Sequence, residues 1–107
     1  MIKFVALYRP PADPAEFDRN YFQTHVPIVN RTAGLVRTEL AKVTRMVAGG
    51  PAYYLLTELY FDSAESMKAA FKTEVWRESG ANLAEWGGME LVTMFSAEVV
   101  DDSGAPA

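Results

Sequence analysis

Two hydrophobic periods alternate along this chain, and the places where one gives way to the other mark its elements. Ile2 to Tyr8 is an apolar, β-favouring run and predicts a first strand. Arg9-Pro10-Pro11-Ala12 ends it, because proline cannot donate to a ladder. Asp13-Pro14-Ala15-Glu16 opens a helix: Asp13 caps, Pro14 suits the first turn, and Glu16 completes a capping box. At about 100° per residue, Phe17, Tyr21, His25, Ile28 and Val29 fall within one arc of about 120°. Arg19, Gln23 and Asn30 fall opposite. Asp18 intrudes on the apolar side, and nothing in the sequence explains it. Pro27 leaves the carbonyl of Gln23 without its amide and should kink or end the helix there. Gly34 then offers a terminus.

Leu35 to Val47 alternates imperfectly and carries Arg37, Glu39, Lys42 and Arg45, which predicts a solvent-contacting edge strand. Gly49-Gly50-Pro51 is a turn. Tyr53 to Phe61 is apolar or aromatic on both faces except at Glu58, a third strand. Asp62-Ser63-Ala64-Glu65 starts a helix with Met67 and Phe71 inward. A further helical piece near Thr73 to Trp86 presents Val75, Trp76, Leu83 and Trp86, and Gly87-Gly88 stops it. Met89 to Val100 is the last strand, apolar on both faces except at Glu90 and Glu98.

The order β-α-β-β-α-β predicts an α+β, ferredoxin-like fold: a four-stranded antiparallel sheet with helices on one face. The other face would be bare and apolar, a larger patch than a monomer usually exposes. Two sheets packed face to face in a homodimer would cover it, giving a dimeric α+β barrel. Residues 1–100 are expected to form the domain and residues 101–107 a short disordered tail.

Composition narrows the function. With 107 residues, half of them hydrophobic, the chain makes one domain with a core. A net charge of -4 without a basic run argues against nucleic acid as a partner. No apolar run spans a bilayer, so no membrane partner is expected. The N-terminus lacks a signal-peptide pattern, which together with the absence of cysteine predicts a cytoplasmic protein. One histidine, no cysteine and no acidic cluster at ligand spacing predict no metal site. Neither glycine pair forms a phosphate loop, and no cofactor is expected.

The candidate chemistry centres on His25. An imidazole on an apolar helix face is either a structural residue bonded to a backbone carbonyl or a functional group kept neutral by desolvation. In the second case it is a general base, able to take a proton from carbon beside a carbonyl or to orient a phenol or carboxylate. Tyr21, four residues earlier, reaches the same ligand and could donate to a developing oxyanion; its alternative is aromatic packing. Tyr8 is placed at a pocket mouth, where the first strand gives way to the helix. Phe17 and Ile28 share the apolar arc, and Trp76 and Trp86 could wall a flat ligand or simply pack on the sheet.

These residues resemble the EthD family of dimeric α+β barrel proteins. The matching parts are Ile2 to Pro10, the helix start Pro14-Ala15-Glu16-Phe17, and Tyr21-Phe22-Gln23-Thr24-His25-Val26-Pro27-Ile28 leading to Gly34-Leu35. The resemblance implies a ferredoxin-like fold, a homodimer and a pocket between sheet and helices, with the family histidine at His25 and its helix aromatic at Tyr21. The family is named for a protein needed in bacterial ethyl tert-butyl ether degradation, which implies a catabolic setting. Relatives of this fold include isomerases, cyclases, decarboxylases, cofactor-free monooxygenases and haem-degrading proteins. The isomerases carry extra polar pocket residues that this chain lacks.

Three functions are expected in order. The first is binding of a small, largely apolar carbonyl or phenolic compound, with a cofactor-free proton transfer (isomerisation, cyclisation or decarboxylation) by His25 and Tyr21. The second is a carrier with the same pocket and no chemistry. The third is a cofactor-free oxygenase or haem-handling protein; haem ligation by His25 has no other support in the chain.

Overall fold

The structure is a computed structural model and describes residues 1–101, so the expected tail, apart from Asp101, lies outside the described residues. Four strands, β1 (Ile2–Tyr8), β2 (Leu35–Lys42), β3 (Leu55–Phe61) and β4 (Val92–Glu98), form one sheet in the order β2-β3-β1-β4. All its pairings are antiparallel. The helices are α1 (Pro14–Asn20), α2 (Val26–Val29), α3 (Ala64–Phe71) and α4 (Glu74–Glu85). A π-helical turn (Tyr21–His25) joins α1 to α2, and a 3-10 turn (Gly88–Leu91) precedes β4. The ferredoxin-like order expected from the sequence is the order observed.

The caps explain where the helices start. The Asp13 carboxylate accepts from the Glu16 amide at 3.2 Å, Ser63 Oγ from the Ser66 amide at 3.1 Å, and Thr73 Oγ1 from the Trp76 amide at 3.3 Å. Each satisfies an amide that the first helical turn leaves without a partner.

Several boundaries move from expectation. β2 stops at Lys42 rather than Val47: past it the Val43 amide still donates to the Tyr54 carbonyl and the Tyr54 amide to the Tyr8 carbonyl, but residues 44–53 make no strand pairing. β3 begins at Leu55, and residues 88–91 form a 3-10 turn instead of the start of β4. A bulge at Val36 shifts the β2–β3 register. The predicted disturbance at Pro27 falls one turn upstream. The Val26 amide reaches back to the Tyr21 carbonyl, five residues away, so the turn widens to accommodate the ring.

Asp18 now has its explanation. Its carboxylate accepts from the Tyr54 hydroxyl at 2.8 Å and from the Lys42 ammonium, tying α1 to the β2 edge and the start of β3. Partial burial works to raise its pKa, but these two donors hold it below the usual carboxylate value.

The core lies between the sheet and the helices. Ala6, Tyr8, Leu55, Leu59 and Phe61 meet Phe17, Tyr21, Val29, Met67, Ala70 and Leu83 there. Strand alternation sends Lys3, Val5 and Leu7 to the other face, with their cross-strand partners. That face is not uniformly apolar, contrary to expectation. Its apolar part is Val5, Leu7, Leu56 and Phe95, but Lys3 pairs with Glu58 at 3.4 Å and Tyr60 donates to Glu58 at 2.6 Å. Arg37 lies 4.2 Å from the Tyr60 ring centroid. Among the described residues no helix is long and apolar enough to cross a membrane.

Candidate functional site

A cavity of about 110 Å³ sits between the inner sheet face and the helices. Its floor is Phe4, Ala6 and Tyr8 of β1, Thr57 and Leu59 of β3, with Leu40 and Met94 from the two edge strands. Its roof is Tyr21, His25, Val26 and Val29 on one side and the inner face of α4 on the other. The wall is mostly carbon, with a few polar atoms aimed across it, the usual make-up of a small-molecule site.

The π turn positions the two candidate groups. It places Tyr21 and His25 on the same inward side, with ring centroids 5.1 Å apart. Tyr21 is 1 % exposed and His25 6 %. π turns are rare and frequent at functional positions. The His25 Nδ1 atom is sealed from solvent and has no hydrogen-bond partner in the protein. Burial lowers the His25 pKa from its ordinary value, and a hydrogen bond between the imidazole and the Asn82 side chain works the other way. The imidazole is therefore neutral at pH 7, and a neutral ring offers one lone pair for a proton.

Tyr21 belongs to a hydroxyl cluster. Its Oη lies 2.5 Å from Thr57 Oγ1, and the Tyr8 hydroxyl also engages it. Burial, and for Tyr8 the neighbouring Tyr21, push both phenols above their ordinary value, so both stay protonated at neutral pH. Either hydroxyl of the Tyr21–Thr57 pair can donate; with Thr57 as the donor, Tyr21 keeps its own proton for an acceptor in the cavity. That arrangement suits an oxyanion better than a proton-abstracting role.

The structure brings His25, Tyr21, Tyr8 and Trp76 to the cavity wall. It does not bring Phe17, Ile28 or Trp86 there. Phe17 stacks on Tyr21 at 5.4 Å behind the site, and with Trp86 it borders a separate surface groove near Pro11 and Asn20. The helical arc over-counted Ile28 because the π turn brings Val26 to the wall beside Val29, where an unbroken α-helix would present Ile28. Trp86 is turned to Asn82, donating Nε1–H to its Oδ1 at 3.1 Å.

Sequence reasoning missed Thr57, Ser79, Gly80 and Asn82. A signal for Thr57 existed: it falls two residues from Leu55 and from Leu59, on the buried side of a strand where valine would pack as well. Ser79 donates to the Trp76 carbonyl at 2.7 Å and so is internally satisfied. No group of three or more metal-ligating side chains occurs among the described residues.

Comparison with known proteins agrees with this architecture. The EthD domain matches residues 9–85. An uncharacterized 11.0 kDa protein from the thcB-thcC intergenic region of Rhodococcus erythropolis is 30 % identical over 98 residues, covering 92 % of this chain and 95 % of that protein. The crystal structure of an EthD family protein from Bacillus halodurans superposes with a TM-score of 0.86 at 32 % identity, over 94 % of this chain and 99 % of that one. SnoaB, a cofactor-independent oxygenase from Streptomyces nogalater, shares the fold alone, with a TM-score of 0.65 at 16 % identity over 99 % of this chain and 97 % of that one. A strand-helix architecture of this order, a Tyr21–His25 turn over the sheet, and a match over most of the chain make this protein a member of the EthD family.

Proposed function

We propose that this chain binds a small, largely apolar carbonyl or phenolic compound beside His25, and that it does so as a homodimer packed sheet to sheet. One observation carries the reading: a buried, partnerless imidazole nitrogen belongs to a residue on the wall of a mostly apolar cavity. Burying such an acceptor costs about 1–3 kcal/mol unless something bonds to it. A ligand donor is the partner that the fold itself does not supply.

The chemistry that fits is a cofactor-free proton transfer. A proton leaves carbon beside a carbonyl for the neutral His25, and the electron pair moves onto the carbonyl oxygen, which accepts from Tyr21. Return of the proton to another carbon completes an isomerisation; attack of the enolate carbon on a second carbonyl of the same ligand, whose π pair moves to its oxygen and takes the proton back from His25, completes a cyclisation. A carrier without chemistry is the second reading, favoured by the few polar groups in the cavity and by the alternative proton placement in which Tyr21 donates to Thr57. A match in fold to a cofactor-independent oxygenase supports the oxygenase reading no further than the fold.

The test is calorimetric titration with 4-methylphenol. Saturable one-to-one binding is expected, and its absence for this probe and for matching small ketones would overturn the reading. The dimer is tested separately. Phe95 is 46 % exposed on the open sheet face, on the edge strand β4 beside Val5. Phe95→Asp places a charge there, and in sedimentation velocity it should convert a dimer to a monomer. A wild-type monomer at micromolar concentration would contradict the sheet-to-sheet assembly.

A further inference from the structure

Gly80 lies in the interior of α4, on the cavity wall. Glycine inside a helix is unfavourable relative to alanine, so its presence asks for a reason. Backbone geometry supplies none: the glycines with positive φ are Gly34, Gly49 and Gly87. Packing supplies none either, because a Cβ added at Gly80 would meet no atom within 4 Å. Gly88 is the contrast, since a Cβ there would come within 2.6 Å of Leu83.

What Gly80 leaves is space. Trp76 lies one helical turn before it and Leu83 just under one turn after it, and both line the same cavity. The inner face of α4 therefore reads large, absent, large: a notch about one turn long between two bulky side chains. We propose that Gly80 is the specificity-determining residue of this site, and that its notch receives an apolar substituent of the ligand while the ligand's polar group faces His25 and Tyr21. The inference rests on the ligand reading above and adds to it the shape of the molecule: a ring or carbonyl head with a short alkyl branch.

The notch also sets a scale. Each methylene taken out of water contributes about 0.8 kcal/mol, close to a fourfold gain in affinity. In calorimetric titrations of the wild type with phenol, 4-methylphenol and 4-ethylphenol, affinity should rise about fourfold at each step. Gly80→Ala should reduce the gain from phenol to 4-ethylphenol to twofold or less, while the affinity for phenol itself changes less than threefold. The same variant should melt about 4 °C higher, since alanine is the better helix former and meets open space. Gly80→Val repeats the affinity test with a bulkier side chain and should weaken 4-ethylphenol further.

A variant that retains the full alkyl gain overturns the notch while leaving the ligand reading intact. A lower melting temperature for Gly80→Ala shows that the space is filled in solution and overturns it too. Failure of the wild type to bind any of the three phenols or the matching small ketones overturns both proposals together.

Discussion

Replacing His25 with leucine should make this protein more stable and cut both its ligand affinity and any catalysis. The substitution keeps roughly the same volume. It removes a buried nitrogen that has no partner in the protein. Relief of that unpaired group should raise the unfolding free energy by about 1–2 kcal/mol in urea titrations. Affinity for 4-methylphenol should fall about tenfold, the worth of one buried hydrogen bond. Any proton transfer catalysed by the wild type should slow by about 10²–10⁴.

The same variant carries a pH signature. Burial depresses the His25 pKa below its ordinary 6.5. The unfolded chain therefore takes up a proton near that pH, and the folded chain takes it up only in more acidic solution. Protons bind the unfolded state first, so wild-type stability is lost as pH falls below about 6.5 and levels off once the folded imidazole is also charged. His25→Leu should lack this segment of the stability curve. A variant less stable than wild type at pH 7, or one that binds 4-methylphenol as tightly, would mean that the ring is an ordinary packing residue.

The second large effect lies behind the site. Phe17 is 3 % exposed, and its ring sits 5.5 Å from Tyr8, 5.4 Å from Tyr21, 5.6 Å from Tyr54 and 5.3 Å from Trp86. Four aromatic neighbours from four parts of the chain share this one ring. Phe17→Ala removes its apolar area and leaves a void that rigid rings cannot collapse into, at a cost of about 3–5 kcal/mol. For a domain this size that lowers Tm by about 12 °C or more. Tyr21 stacks on Phe17, so the hydroxyl cluster should loosen and phenol affinity should fall as well. A loss under about 1 kcal/mol by urea titration would show that the aromatic cluster is not a structural hub.

The order of elements was legible because each one carries its own local signal. Asp13, Ser63 and Thr73 announce the helix starts, and the prolines and glycines announce the stops. The site was legible in part. His25 and Tyr21 stood out because a titratable ring and a phenol sat four apart on an apolar arc. The partners that give them chemical meaning were not visible. Thr57 and Asn82 come from β3 and α4, more than thirty residues away, and only the folded sheet brings them close. Ile28 was misplaced because a helical wheel assumes a constant turn, and Pro27 forces the preceding turn to widen. The open sheet face was expected to be apolar because the first, third and fourth strands carry few charges, yet two of those few, Lys3 and Glu58, fall on it. In the sheet they are neighbours and neutralise each other.

The most direct measurement uses the fact that the chain has one histidine. In ¹⁵N-labelled protein its two ring nitrogens can be followed without ambiguity. Before ligand is added at pH 7, the spectrum should be that of a neutral imidazole. On titration with 4-methylphenol, the unprotonated nitrogen should shift upfield as it accepts a hydrogen bond, saturating in step with the calorimetric binding curve. A ring that is charged at pH 7, or whose nitrogens do not move while the phenol binds, would contradict the account at its centre.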